Sequence, residues 1–310
     1  MLTLGIDTSN YTTSCALFNS ETGEVIQKKM LLPVKDGEKG LRQSDAVFHH
    51  TRQLYPLMEE LFSEYRGDVD IIGVSDKPRD AEGSYMPCFT VGMNTAYSIS
   101  AAMNRPVYSF SHQAGHIMAS LYSSGNMQLK DEKFIAFHVS GGTTEALLVS
   151  PDKERIFNAK IIGKTRDINC GQSIDRAGVM MGLHFPCGKE IEKLALSADK
   201  KLKPYVCMKD GDCCLSGLEN MTQKMLDSGE SKENIALFVL DSVSKTIEKM
   251  TEYALLTCGN LPVVYAGGVM SDKLIKNQLE NKFTCSFALP EFSCDNGAGT
   301  AILAYFRGKE

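Results

Sequence analysis

The sequence lacks the features that mark membrane and exported proteins. No apolar run approaches the roughly 18 residues that a membrane-spanning helix needs. At the N-terminus, no basic segment precedes a long apolar stretch, so we expect no signal peptide. We therefore expect a cytoplasmic protein without a membrane partner.

Paired cysteines and an excess of positive charge are lacking as well. Ten cysteines occur, but none form a CxxC pair, and most lie in apolar segments. In a chain of 310 residues, this pattern favours buried free thiols in a reducing cytoplasm over disulfides or structural zinc. The net charge of −5 argues against binding of nucleic acid mainly through a global positive field. Such binding would need a local basic patch or a basic partner.

One sequence pattern occurs twice. Residues 2–18 and residues 134–149 each contain an apolar run, a small polar turn, a Thr-Thr pair and a second apolar run. A strand, a tight turn and a returning strand, used twice, indicate two related lobes that face each other across a cleft. Backbone N–H groups and hydroxyls in such turns can hold phosphate.

Strand-like and helical patterns alternate along much of the chain. Apolar residues at spacings of three and four predict a helix over about 45–65, and residues 107–110 read as a strand. The alternation favours an α/β fold with helices on both faces of an open sheet. We assign residues 1–107 and the C-terminal helix 296–310 to lobe I, and residues 108–295 to lobe II.

Two histidines open a predicted helix. Ser111 suits an N-cap, and the spacing of four then places His112 and His116 on one helix face. They either share a metal ion or are ordinary solvated or core histidines. A third ligand must come from elsewhere, and Asp295 in a turn near the C-terminus is the candidate. Two imidazoles and one carboxylate suit Fe, Zn or Mn and leave positions for a substrate oxygen.

Glycines at two turns are candidate ligand contacts. Ser140, Gly141 and Gly142 separate two apolar runs, where glycine allows a ligand to approach the backbone. Gly267 and Gly268 end a buried strand, as in many cradles for adenosine or phosphate. The alternatives are an ordinary hairpin turn for the first segment and a tight strand-to-helix connection for the second.

Further candidates lie beside these turns. Asp175 can accept hydrogen bonds from ribose hydroxyls, although it also suits a charge on a helix surface. Pro186, Cys187 and Gly188 can form a backbone-lined turn against a base or sugar. We expect Ser271 to cap the helix that follows Gly267 and Gly268.

Taken together, these motifs resemble the family of tRNA threonylcarbamoyladenosine transferases, called TsaD in bacteria and formerly described as a glycoprotein endopeptidase. The resemblance covers essentially the whole chain. Its most specific pieces are the His112 and His116 pair and the segments 139–142, 266–269 and 294–298. It implies the two-lobed α/β fold of actin, the sugar kinases and the heat-shock ATPases.

The resemblance also implies a cofactor and a ligand. One divalent metal ion, Fe or Zn, would be held by His112, His116 and Asp295. An adenine nucleotide or threonylcarbamoyl adenylate would lie against the strand and turn that end at Gly142. The residues expected to bind this adenylate, which include the second glycine pair, are His138, Val139, Ser140, Gly141, Gly142, Asp175, Gly188, Gly267, Gly268 and Asp272.

The reaction that the resemblance implies is transfer of a threonylcarbamoyl group. The metal would polarise carbamoyl or carboxylate oxygens of the intermediate. The exocyclic amine of an adenosine beside the tRNA anticodon attacks the carbonyl, and adenylate leaves. The tRNA would be engaged through a complex with paralogous or regulatory protein subunits.

The sequence departs from the family pattern at several positions. Asn10, Tyr11 and Thr12 stand where members usually have Cys-Asp-Glu, so two carboxylates are missing and no residue is assigned a catalytic role. Asp272 replaces an asparagine and would repel an adenylate phosphate unless a metal or proton intervenes. The departures indicate a divergent paralogue. They leave two alternatives: a carbamoyl- or acyl-adenylate transferase acting on a small molecule, and a non-catalytic nucleotide-binding subunit.

Overall fold

A computed structural model describes residues 1–9, 11–33, 41–65, 67–293 and 297–309. The contacts divide the chain into two compact units. Unit 1 contains Met1–Asp131, Ser150–Ala159 and Glu291–Glu310, and unit 2 contains Glu132–Val149 and Lys160–Pro290. Within the described residues, every helix is too short or too polar to span a bilayer.

The strands and helices alternate along the chain, as the sequence predicts. The strands are β1 (Leu2–Asp7), β2 (Thr12–Asn19), β3 (Val25–Leu31), β4 (Ile71–Lys77), β5 (Val107–Ser111), β6 (Phe134–Val139), β7 (Thr144–Asp152), β8 (Ile156–Lys164), β9 (Met208–Lys209), β10 (Asp212–Cys213), β11 (Val263–Ala266) and β12 (Cys285–Phe287). The helices are α1 (Gln43–Glu64), α2 (Phe89–Met103), α3 (His112–Ser123), α4 (Cys170–Met180), α5 (Gly188–Ala195), α6 (Ser216–Asp227), α7 (Lys232–Cys258), α8 (Lys273–Glu280) and α9 (Ala298–Lys309).

Unit 1 is built on a five-stranded sheet with the strand order β3-β2-β1-β4-β5. The first three strands form an antiparallel meander, and β4 and β5 continue parallel to β1. Helices α1 and α2 pack against each other and the sheet, while α3 and α9 form a second packed pair. All six residues of β1 are buried, as expected for a central strand with helices on both faces.

A second five-stranded sheet, with the order β12-β11-β6-β7-β8, lies mostly in unit 2. In it, β11 runs parallel to β6 and β12, and β7 returns antiparallel to β6. The long helix α7 is the centre of the core, because it packs against α5, α6 and α8 and buries apolar residues along most of its length. Because β6 and β11 pair in parallel, their carboxyl ends lie side by side, at Val139 and Ala266.

The α/β architecture is confirmed. Unit 1 continues past residue 107 to Asp131, because β5 pairs with β4 and α3 packs on α9. The assignment of residues 1–107 with 296–310 to lobe I and of 108–295 to lobe II stays a prediction. One detail differs from the sequence-based expectations. Ser271 is not the cap of α8, because Asp272 occupies the N-cap position.

Candidate functional site

The two histidines of unit 1 meet at the start of α3. The Ser111 hydroxyl accepts a hydrogen bond from the Ala114 N–H at 3.2 Å, which confirms the predicted N-cap. The ring centroids of His112 and His116 are 4.3 Å apart and nearly perpendicular. The helical spacing therefore brings both imidazoles to one place, as metal binding requires.

A buried carboxylate orients the first of these rings. The Nδ1 atom of His112 lies 2.7 Å from Oδ2 of Asp7, which is 1% exposed at the end of β1. The Ser75 hydroxyl donates to the same oxygen at 2.7 Å, and the Ser9 N–H donates to Oδ1 at 2.8 Å. Burial alone would raise the pKa of Asp7, but the His112 charge and these hydrogen bonds outweigh it, so the pKa lies below its usual value.

Sequence reasoning missed Asp7, although a signal was available. A carboxylate at the end of a buried strand is unusual, because a buried charge needs a hydrogen-bonding or oppositely charged partner nearby. The Asp7–His112 contact is typical of metal-binding histidines, whose second ring nitrogen is held by a carboxylate. His112 and His116, with Asp7 behind His112, thus offer two of the three ligands that the predicted metal site needs.

The proposed third ligand cannot be placed. The described residues do not include Asp295 or its neighbours Cys294 and Asn296. They also do not include Asn10, one of the positions that differ from the family pattern. Among the residues that are described, no group of three or more histidine, cysteine or carboxylate side chains could hold a metal ion. The triad of His112, His116 and Asp295 therefore stays a prediction.

A cavity of about 470 Å³ lies within unit 2, among α4, α5 and the turn after β11. This volume is within the usual range for small-molecule sites. Five of the residues predicted to bind an adenylate line it: Gly141, Asp175, Gly188, Gly268 and Asp272. Three separate parts of the sequence thus converge on one cavity.

Three cavity glycines are not required by the protein's own packing. A Cβ added to Gly141, Gly188 or Gly268 would meet no atom within 4 Å, and none of the three has a positive φ. By contrast, a Cβ on Gly171 would lie 2.6 Å from the Gly141 nitrogen, and Gly267 has a φ of 104°. The first three therefore suit close approach of a ligand, and the last two serve the packing of the chain.

Three carboxylates line this cavity: Asp175, Glu192 and Asp272. Oδ1 of Asp175 accepts a hydrogen bond from the Cys187 N–H at 2.8 Å, which fixes the turn before Gly188. Burial raises the pKa of Asp175, against that hydrogen bond. Asp272 caps α8 by accepting from the Leu274 and Ile275 N–H groups at 2.9 and 3.0 Å. Burial, with a smaller contribution from Glu192, raises its pKa to about 6.

The turn after β6 is tight. The Ser140 hydroxyl accepts from the Gly142 and Thr143 N–H groups at 3.2 and 3.1 Å. Val139 is buried, and its carbonyl oxygen would lie 2.2 Å from a Cβ on Gly267. His138 is half-buried in β6. Of this predicted segment, Gly141 lines the cavity.

The sequence also matches a described family. The family model of TsaD, tRNA N6-adenosine threonylcarbamoyltransferase, matches residues 34–302. The chain belongs to this family. TsaD proteins are transferases, so the predicted family and enzyme class are confirmed.

Relatives that are named for tRNA threonylcarbamoyladenosine synthesis are similar in sequence to almost the whole chain. The tRNA N6-adenosine threonylcarbamoyltransferases of Archaeoglobus fulgidus and Thermosipho melanesiensis are 26% and 29% identical, with 100% and 98% of this chain and 93% and 94% of theirs covered. A probable bifunctional tRNA threonylcarbamoyladenosine biosynthesis protein of Thermoplasma acidophilum is 27% identical over 99% of this chain. The chain spans 57% of that bifunctional protein.

Solved structures show the fold. HypF of T. kodakarensis has a TM-score of 0.59 at 14% identity, covering 99% of this chain and 48% of HypF. Component A of the Acidaminococcus fermentans (R)-2-hydroxyglutaryl-CoA dehydratase has a TM-score of 0.58 at 14% identity, with both chains fully covered. A Streptomyces griseus ROK glucokinase has a TM-score of 0.54 at 12% identity, covering 99% and 100%. The predicted fold of actin, sugar kinases and heat-shock ATPases is confirmed.

Proposed function

We propose that this TsaD-family chain transfers a threonylcarbamoyl group from threonylcarbamoyl adenylate to a tRNA adenosine beside the anticodon. The observation that carries the proposal is the cavity of unit 2, where three glycines leave open space that the chain's own packing does not use. An adenylate is a flat base joined to a sugar and a phosphate. It suits a site that presents backbone rather than side chains.

Within this cavity, the two aspartates Asp175 and Asp272 have distinct roles in the proposal. Asp175 accepts hydrogen bonds from ribose hydroxyls, since its Oδ1 is already fixed by the Cys187 N–H. Asp272 lies at the N-terminus of α8, where backbone N–H groups attract an anion but an ionised carboxylate repels one. Because burial raises the pKa of Asp272 to about 6, protonation removes this repulsion at mildly acid pH.

We further propose that His112, His116 and Asp295 hold one divalent metal ion, Fe or Zn. Such an ion supplies a Lewis acid that polarises carbamoyl or carboxylate oxygens. Asp7 holds the His112 ring through Nδ1, so the imidazole is presented in one orientation. The remaining adenylate contacts proposed here come from His138, Val139, Ser140 and Gly142, and from the backbone of Gly267, whose glycine is itself required by its positive φ.

The acceptor and the partners belong to the same proposal. The net charge of −5 disfavours tRNA binding by this chain alone, so paralogous or regulatory subunits would supply basic surface. Because tRNA modification takes place where tRNA is used, we place the reaction in the cytoplasm.

The metal site is tested by elemental analysis of purified variants. We expect the wild-type chain to retain about one metal ion and His112→Ala and His116→Ala to retain almost none. His49→Ala is the matched control, because this half-buried histidine lies on α1, outside the proposed site. Equal metal content in all four proteins would refute the metal assignment and leave the cavity untouched.

The transfer reaction is tested in a strain that lacks threonylcarbamoyladenosine in its tRNA. Supplying the wild-type gene should restore the modified nucleoside, measured by mass spectrometry of digested tRNA, and the gene carrying Gly188→Ala should restore less. A nucleoside level that stays low with the wild-type gene, although the protein is made and binds adenylate, would contradict tRNA as the acceptor.

A second candidate is transfer from an acyl or carbamoyl adenylate to a small molecule. The acidic net charge and the replaced residues Tyr11 and Thr12 favour it. The two reactions are distinguished by incubating the protein with labelled adenylate and either tRNA or a metabolite extract. Label in a small product, with none in tRNA, supports the second candidate.

A non-catalytic nucleotide-binding subunit is the remaining alternative, motivated by the missing carboxylates. Turnover that is lost in His112→Ala while adenylate binding persists would exclude this alternative. Adenylate binding without turnover of any acceptor in the wild type would support it.

A further inference from the structure

A pair of cysteines faces across a small hairpin of unit 2. Strands β9 and β10 are joined by Asp210 and Gly211, whose φ values of 51° and 84° suit a two-residue hairpin turn. The register of the hairpin places Cys207 opposite Cys214. The Cys214 N–H donates to the Cys207 carbonyl at 3.0 Å, so the two residues pair directly.

The register places the side chains of this pair on one face of the hairpin. Residues directly opposite each other on antiparallel strands point to the same face, and a hydrogen-bonded pair has its Cα atoms about 5.5 Å apart. This separation falls within the roughly 4.4–6.8 Å that a disulfide spans. The geometry therefore allows an S–S bond without movement of the strands.

The exposure of the pair distinguishes it from the neighbouring thiols. Cys207 and Cys214 are half-buried, so a small reagent can reach them. Cys213, the next residue on the hairpin, is fully buried and points to the opposite face. Burial, the Asp167 carboxylate and Cys207 raise the pKa of Cys214. Cys214 therefore rests as a thiol rather than as a reactive thiolate.

We propose that Cys207 and Cys214 form a dithiol modification site, which a small-molecule disulfide oxidises to an intramolecular disulfide. This site is separate from the adenylate cavity, and the inference does not depend on the proposed function. It also departs from the expectation that the cysteines serve only as buried free thiols.

The reaction proceeds by two exchanges. One protein thiol loses its proton and attacks a sulfur of the small disulfide; a mixed disulfide forms and one small thiolate leaves. The second protein thiol then loses its proton and attacks the protein sulfur of that mixed disulfide, releasing the second small thiolate. The two protons pass to the two leaving thiolates. The protein loses two hydrogens and the oxidant becomes two thiols.

A disulfide between Cys207 and Cys214 would stiffen the hairpin and the segment around Asp167 that contacts it. The Cys213 carbonyl accepts from the Arg166 N–H at 2.9 Å, and the hairpin pairs with Thr165 through an isolated bridge. Asp167 in turn accepts from the Leu215 and Ser216 N–H groups at 2.8 and 3.0 Å. Oxidation should therefore slow amide exchange in the hairpin and in the segment around Asp167.

The test uses the full chain, reduced, freed of reductant and then treated with oxidised glutathione. We expect loss of two hydrogen masses and blocking of two alkylation sites, with peptide mapping that places the bond between Cys207 and Cys214. Hydrogen exchange around the hairpin should slow several-fold. Cys207→Ser and Cys214→Ser should each stop at a mixed disulfide with glutathione, because no partner thiol remains to resolve it.

Cys258→Ser and Cys285→Ser are the matched controls, since these half-buried cysteines lie in other elements of unit 2. Both should close the disulfide as the wild type does. A stable mixed disulfide in the wild type, no reaction at either hairpin cysteine, or a bond mapped to another pair such as Cys213 and Cys214 would overturn the proposal.

Discussion

At the scale of single residues, glycine occupies positions in and beside the unit 2 cavity for two separate reasons. Gly171 and Gly267 are needed because a side chain would collide with backbone or because φ is positive. Gly141, Gly188 and Gly268 have room for a Cβ. Gly267 and Gly268 read as one motif in the sequence, but in the structure Gly267 is required by packing and its positive φ, whereas Gly268 faces the cavity.

This distinction predicts opposite effects of one substitution on stability and binding. In Gly188→Ala, the first residue of α5 gains helix propensity, so unfolding should become harder by about 0.5–1 kcal/mol. The added methyl enters the cavity, so affinity for a non-reactive threonylcarbamoyl adenylate analogue should fall about tenfold, which is about 1.4 kcal/mol. Calorimetric melting and titration calorimetry measure the two effects. Undiminished affinity would remove Gly188 from the site.

Asp272 gives a pH-dependent prediction. Its pKa is about 6 in the folded protein against 3.8 in the unfolded chain, so the folded state binds more protons between these values. Stability from this group therefore falls as pH rises from about 4 to 6 and stays lower above. Asp272→Asn keeps an N-cap and removes the charge. It should stabilise by about 1–2 kcal/mol at pH 7.5 and by almost nothing at pH 4.

Denaturant unfolding of Asp272→Asn at both pH values is the measurement. The matched control is Asp199→Asn, because Asp199 is an exposed carboxylate of the same unit. A gain that is equal at the two pH values, or equal in the control, would show that burial of the Asp272 charge is not its cause.

At the scale of elements, local signals were enough to predict where α1, β5 and α3 lie. The apolar periodicity of α1 and the cap at Ser111 both depend on residues a few positions apart, which a sequence displays directly. The cap of α8 was misassigned to Ser271, since Ser and Asp are both good N-caps and adjacent. The sequence marks Asp7 as a carboxylate that needs a partner but does not show that the partner is His112, because the contact joins the end of β1 to the first residue of α3, 105 positions later.

The N-cap of α3 predicts a link between helix stability and the histidine pair. Ser111→Ala removes the hydrogen bond that the hydroxyl accepts from the Ala114 N–H and the one that it donates to Oδ2 of Asp80 at 2.8 Å, so it should destabilise unit 1 by about 0.5–2 kcal/mol. Because His112 is the first residue of α3, loosening of this turn should also lower metal retention. Ser63→Ala on the exposed side of α1 is the control. Unfolding curves and elemental analysis should show both losses in Ser111→Ala alone.

At the scale of the whole molecule, the chain ends decide whether unit 1 forms. Helix α9 is the last element in sequence, yet it packs on β1, the first, as well as on β4 and α3. The Thr3 hydroxyl donates to the Ala301 carbonyl at 3.0 Å, and a Cβ on Gly5 would lie 2.2 Å from the Gly297 oxygen. Unit 1 therefore cannot complete its core until the C-terminus is present.

Alanine substitutions at two glycines of α9 test how much unit 1 depends on the packing of this helix. A Cβ on Gly299 would lie 1.8 Å from the Gly115 carbonyl oxygen, a backbone atom, whereas a Cβ on Gly308 would meet the end of the Ile71 side chain. Because backbone cannot move aside cheaply, Gly299→Ala should destabilise unit 1 by about 3 kcal/mol or more. Gly308→Ala should cost less than about 1 kcal/mol, since a rotamer change of Ile71 relieves the contact and alanine favours the helix.

Hydrogen exchange followed by mass spectrometry measures both effects, since it reports β1, β4 and α3 separately from the helices of unit 2. Gly299→Ala should exchange faster throughout unit 1 and leave α7 protected, because α7 belongs to the core of unit 2. Equal protection in the two variants would mean that α3 and α9 can separate without loss of unit 1. The histidine pair on α3 would then not depend on the C-terminal helix for its position.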